Sequence, residues 1–157
     1  FMPSVDMVRV FALGMFFKSA SYSVGAISFA KGEKKVFFIL EGLYTNLSIL
    51  IFLVAGYAYG GLMGLAWAFT AMHFVYLLVI LVVTKKLYTY KPSLVFIKIF
   101  LVQMLVISSA MITTIIDNKN LAAASGIIVI IVSVIYSYKE LDKLIGIRSI
   151  VEKFIKR

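Results

Sequence analysis

At 157 residues, 62% of them hydrophobic and only 15% charged, with a mean hydropathy of +1.04, the chain carries more apolar surface than a water-soluble core of this length can absorb, since a typical soluble domain is about a quarter charged. The formal charge of +9 does not point to nucleic acid, because the Lys and Arg residues fall between apolar runs rather than along one face, a placement that orients helices in a bilayer. There is no cysteine, which excludes disulfides, thiolate metal sites and a thiol nucleophile.

Five apolar stretches follow in order, at 7–29, 36–57, 61–84, 94–116 and 121–138. Each is close to the ~20 residues that cross the hydrocarbon core as a helix. None alternates like a barrel strand, and a spanning segment must satisfy its own backbone, so the expected fold class is an all-α integral membrane bundle of about five helices. The transmembrane bundle is expected over 1–138 and a basic cytoplasmic tail over 139–157. The first residue is Phe1 and the first stretch lacks the basic start and small-residue cleavage site of a signal peptide. The chain therefore reads as the C-terminal part of a longer protein.

In the first stretch Gly14, Lys18, Ser21, Gly25 and Ser28 recur at helical spacing and form one stripe. Lys18 lies about 18 Å along the helix from its basic end, past mid-membrane. A charge at that depth is costly and turns inward, so Lys18 is a candidate cation on a substrate path. The competing reading is a packing seam of small residues with Lys18 snorkelling outward. Arg9 is a further candidate, although Asp6 stands three residues before it and suits a local pair.

The loop Lys31-Gly32-Glu33-Lys34-Lys35 precedes the second stretch, in which Glu41, Thr45 and Ser48 share a face and Asn46 is adjacent. Glu41 has no Lys or Arg three or four residues away. It is expected to find a partner on another helix or to exchange a proton, interfacial hydration being the alternative. Counted from the ends of their antiparallel helices, Lys18 and Glu41 differ in depth by roughly 10 Å. Separate roles are therefore expected for them.

The third stretch holds His73, the only histidine, near its middle. It is either an imidazole bonded to a neighbouring helix or a proton switch. No Cys, Asp or Glu is near it in sequence, so neither a metal centre nor a Ser/His/Asp triad is indicated; no enzymatic activity and no cofactor is expected. Gly60, Gly64 and Ala68 read as a close-packing face. In the fourth stretch Gln103, Ser109 and Thr113 suit bonds to backbone or neighbours.

Twelve of the sixteen basic residues lie in the loops after the first and third stretches and in the tail after the fifth. The turns at Gly60-Gly61 and at Asp117-Asn118-Lys119-Asn120 are nearly free of them. Short Lys- and Arg-rich loops stay in the cytoplasm, so the chain is expected to begin outside and end inside. The tail can form an amphipathic helix, with Leu141, Leu144, Ile145, Val151, Phe154 and Ile155 on one side.

The segments 9–18 (RVFALGMFFK), 29–32 (FAKG), 40–46 (LEGLYTN) and 60–68 (GGLMGLAWA) resemble the last five helices of bacterial O-antigen translocases, the polysaccharide flippases of the multidrug/oligosaccharidyl-lipid/polysaccharide exporter superfamily. The resemblance implies part of the second six-helix lobe of a twelve-helix exporter in the bacterial inner membrane. Its substrate would be an undecaprenyl-diphosphate-linked oligosaccharide carried by alternating access, with membrane lipids and a coupling proton or sodium ion as further partners. By motif position the resemblance carries Arg9, Lys18, Glu41 and Asn46 as substrate-binding or coupling candidates. Two alternatives stay open: a multidrug/cation antiporter of the same fold, and a non-transporting scaffold subunit of a cell-wall polymerase.

Overall fold

A computed structural model describes residues 2–113 and 119–146. Among these residues all regular structure is helical: α1 Met2–Ala30, α2 Lys34–Phe37, a π-helical segment Phe38–Tyr44, α3 Thr45–Tyr88, α4 Leu94–Thr113 and α5 Lys119–Ile145. Four helical runs are long and apolar enough to cross a membrane, Asp6–Ala30, Lys34–Tyr88, Leu94–Thr113 and Asn120–Lys143. Residues such as Ile51, Leu105 and Val134 leave large apolar side chains uncovered. Such faces suit lipid rather than water. The chain divides into two compact units, Phe1–Ser93 and Leu94–Arg157.

In the first unit, α1 stops where Gly32 takes φ +78°, a left-handed conformation that glycine adopts without steric cost. The Gly32 amide donates to the Phe29 carbonyl at 3.0 Å and the Glu33 amide to Ser28 at 3.1 Å. This is the Schellman arrangement, which satisfies carbonyls the helix end would otherwise orphan. The chain then enters α2 and widens at once into the π segment. There the Thr45 amide and hydroxyl both donate to the Leu40 carbonyl five residues back, the hydroxyl at 2.8 Å.

The 55-residue run from Lys34 to Tyr88 is not straight. Gly60 and Gly61 leave helical geometry, Gly61 at φ +58° and ψ −141°, a combination open essentially to glycine. In a continuous helix Gly56 and Gly64 would stand about 12 Å apart. Instead a Cβ on either would collide with the other's carbonyl, and one on Gly56 would also strike Ala68. The run therefore folds back on itself. The expected packing face is present at Gly64 and Ala68, but its partner is Gly56; Gly60 belongs to the turn and has open space around it.

α1 packs along the returning arm, residues 62–88. Val10, Phe17, Ser21, Val24 and Ser28 are buried, and with Gly14 they recur at alternating intervals of three and four, the spacing of a knobs-into-holes seam. Facing them, Ala66, Thr70, His73, Leu77, Ile80 and Thr84 are buried at the same rhythm. Thr70 Oγ1 lies 2.8 Å from the Val10 carbonyl and 3.1 Å from that of Ala66. Gly14 leaves the room for this approach: a Cβ there would lie 2.9 Å from Thr70 Oγ1 and closer still to the Phe69 ring. Because Val10 meets Thr70 and Phe17 meets Phe74, with ring centroids 5.2 Å apart, the two helices run parallel.

In the second unit α4 and α5 are antiparallel, since Gln103 Nε2 donates to Ser137 Oγ at 3.0 Å and Lys98 lies 3.8 Å from Glu140. The fifth helix was expected to end at 138. It continues unbroken to Ile145, because residues 139–143 keep good helix formers and Lys143 reaches back to Glu140 at 3.0 Å. The first seven residues of the expected tail thus extend α5. The end of the fourth expected stretch, the Asp117-Asn118 half of the turn and tail residues 147–157 lie outside the described residues.

Candidate functional site

Three of the five candidate residues meet at one place. Lys18, Ser21 and Tyr22 of α1, Glu41 of the π segment, Thr45 and the buried His73 and Tyr76 of α3 line a pocket of about 20 Å³. That volume is about what one water molecule requires.

Glu41 comes to the pocket through two local devices. The π segment places it toward α1, and Gly25 of α1 has no side chain to keep it out; a Cβ on Gly25 would collide with Glu41 Oε1. The partner expected for Glu41 on another helix is Tyr76, whose hydroxyl donates to Oε1 at 2.7 Å. The Tyr76 ring stacks on Tyr44 at 6.0 Å. Tyr76 was not among the sequence candidates, yet it lies one helical turn after His73 and so on the same face.

His73 departs from the expected bond to a neighbouring helix. It is 1% exposed, and its Nδ1 lies 2.9 Å from the carbonyl of Phe69 in its own helix. A carbonyl only accepts, so Nδ1 carries the hydrogen and Nε2 presents a lone pair. Among the described residues that buried Nε2 has no hydrogen-bond partner.

Lys18 sits beside the α1 seam rather than in it and is exposed, while Gly14, Ser21, Gly25 and Ser28 of its stripe are buried. Among the described residues it makes no ion pair. The expected difference in depth between Lys18 and Glu41 does not separate them, since both side chains reach the same pocket without closing to ion-pair distance. One water there would have an ammonium donor, a carboxylate acceptor and the free imidazole nitrogen around it, the set of polar partners a buried water needs.

The remaining candidates stand elsewhere. Arg9 pairs with Asp6 at 2.6 Å, and Asn46 is exposed and donates to the Gly42 carbonyl in the preceding π segment. No group of three or more His, Cys, Asp or Glu side chains capable of holding a metal occurs among the described residues. No protein-family model matches the chain, and no curated protein or solved structure is significantly similar to it.

Proposed function

We propose that this chain is part of a membrane transporter, and that its cargo is a lipid-linked oligosaccharide moved across the bacterial cytoplasmic membrane. The observation that carries the reading is the convergence of Lys18, Glu41 and His73 on one pocket between apolar helices. An unpaired cation and a carboxylate held at such depth cost several kcal/mol, on the order of 2.5 or more each, and mark substrate or ion paths rather than packing.

In this reading the run from Lys34 to Tyr88 counts as two spans joined at Gly60-Gly61, giving five, with the chain entering from outside and ending in the cytoplasm. The five correspond to part of the second lobe of a twelve-helix exporter. Lys18 supplies a point charge for a diphosphate or acidic sugar. Glu41 and His73 bond sugar hydroxyls or exchange the coupling ion. A pocket of about 20 Å³ is too small for a sugar, so in this reading the cargo meets these residues only in another conformation of the cycle. An antiporter of cationic drugs is a weaker reading because Lys18 would repel the cargo. A scaffold subunit accounts for the α1–α3 seam but gives the unpaired Lys18 no role.

The test is surface glycan in a strain lacking its own flippase and expressing the complete gene product, normalised to inserted protein. Lys18→Ala should abolish export and Lys18→Arg should retain part of it. Full export by both Lys18→Ala and Glu41→Ala at normal protein levels would reject the reading.

A further inference from the structure

The π segment Phe38–Tyr44 accommodates one residue more than an α-helix would place along the same path, an insertion that recurs at functional sites. We propose that it is a two-register switch: in the observed register Glu41 occupies the pocket, and in an α-helical register Gly42 takes its place and the carboxylate leaves.

The change conserves backbone hydrogen bonds. Closing the wide turn lets the Thr45 amide exchange the Leu40 carbonyl for that of Glu41, one residue nearer, which is ordinary α-helical spacing. Relative to the arm that follows, the residues before the segment turn by about 100°, one residue's rotation. Each place is then taken by the next residue in the chain. None of the residues of the segment is buried, so little packing opposes the turn.

The sequence is almost indifferent to that shift. Along Lys34-Lys35-Val36-Phe37-Phe38-Ile39-Leu40, Lys follows Lys, Phe follows Phe, and the other replacements are apolar for apolar. The Phe37 ring lies 5.5 Å from that of Phe29 in α1; in the shifted register Phe38 takes its place and the aromatic contact survives. Only around Glu41 does the chemistry change. The carboxylate moves toward the place of Leu40, about 10 Å along the helix from Lys34 and within reach of headgroup water. Gly42 comes over Gly25 and leaves the pocket open.

The observed register gives Gly42 no packing role against α1, since a Cβ there would first meet the Phe38 ring of its own segment at 3.3 Å. The shifted register gives it one. What holds the observed register is the bond from the Tyr76 hydroxyl to Glu41 Oε1, which the shift breaks. That bond is the latch. Withdrawal of Glu41 leaves Lys18 and His73 facing an enlarged pocket, the conformation that a cargo needs; this consequence rests on the transport reading, whereas the switch itself does not.

Crosslinking in the cysteine-free chain reads the register in membranes without cargo. Combined with Phe29→Cys, a thiol from Phe37→Cys reports the π register and one from Phe38→Cys the α-helical register, through a short thiol-specific crosslinker. Both products should form, 29–37 predominating. Tyr76→Phe deletes the latch and should raise the ratio of 29–38 to 29–37 about three- to tenfold, as loss of one interhelical bond does. Glu41→Ala breaks the same bond while keeping the buried Tyr76 ring, and should raise the ratio as much. A ratio unchanged in these variants overturns the switch and leaves the π segment a fixed feature of the helix. Because no glycan enters the measurement, failure of the export test would not move this ratio, and failure here would leave the export test standing.

Discussion

The hydroxyl of Tyr76 donates to Glu41 Oε1 at 2.7 Å and so ties the π segment to the returning arm of α3, across a chain separation of thirty-five residues. Polar bonds between membrane helices average ~0.6 kcal/mol and reach ~1.7 kcal/mol in double-mutant cycles. A cycle of Tyr76→Phe and Glu41→Ala, followed by unfolding in micelles, should give a coupling in that range. Additive effects would mean that the bond contributes nothing to the fold.

The turn at Gly60-Gly61 yields a paired prediction. Gly61 holds φ +58°, so Gly61→Ala should cost about 1–3 kcal/mol in backbone strain. Gly60 has negative φ and nothing within 4 Å of a Cβ, and Gly60→Ala should stay within about 0.5 kcal/mol. Gly64→Ala drives a methyl into the Gly56 carbonyl, a backbone atom that cannot rotate away. Its cost should be about 1–3 kcal/mol. Equal stabilities for the three variants would remove the hairpin from the fold.

Orientation follows from where the lysines fall. The chain has no cysteine, so each introduced thiol reports one position. Thiols at Lys34, Lys86 and Lys143 should be protected from an impermeant reagent in intact cells, and one at Asn118 should react. Protection at Asn118 together with labelling at Lys86 would invert the topology.

Much of this architecture is legible in the sequence. Apolar runs of spanning length without strand alternation read as helices in lipid, and Gly14, Ser21 and Ser28 of the α1 stripe fall in its seam as the packing alternative had it, together with Val10, Phe17 and Val24. The Arg9–Asp6 pair is local and follows from spacing alone. Convergence is not legible in this way. That Lys18, Glu41 and His73 share a pocket depends on how three segments pack, and helical depth alone kept the first two apart. The π segment has no clear signature either, since it rests on Thr45 choosing the Leu40 carbonyl over nearer acceptors. For α5 the sequence offers a helical tail after 138 but not its unbroken junction with the apolar stretch, which runs on to Ile145 because helix propensity continues across the change from apolar to charged residues.

Gly25 offers the most direct separation of fold from function at the pocket. It belongs to a stripe that the sequence leaves between a substrate path and a packing seam, and the atom nearest to a Cβ there is Glu41 Oε1, the far end of a flexible side chain. Gly25→Ala should therefore leave α1 inserted and packed, since the carboxylate can swing aside where a backbone group could not. The Glu41 side chain would give up its place over Gly25, and with it the Tyr76 bond. Export measured as surface glycan should fall as far as in Glu41→Ala, at normal protein levels. In a Glu41→Ala background the same Gly25→Ala change should have no further effect, because there is no carboxylate left to displace. If the two losses add instead, Gly25 acts through helix packing and not through Glu41.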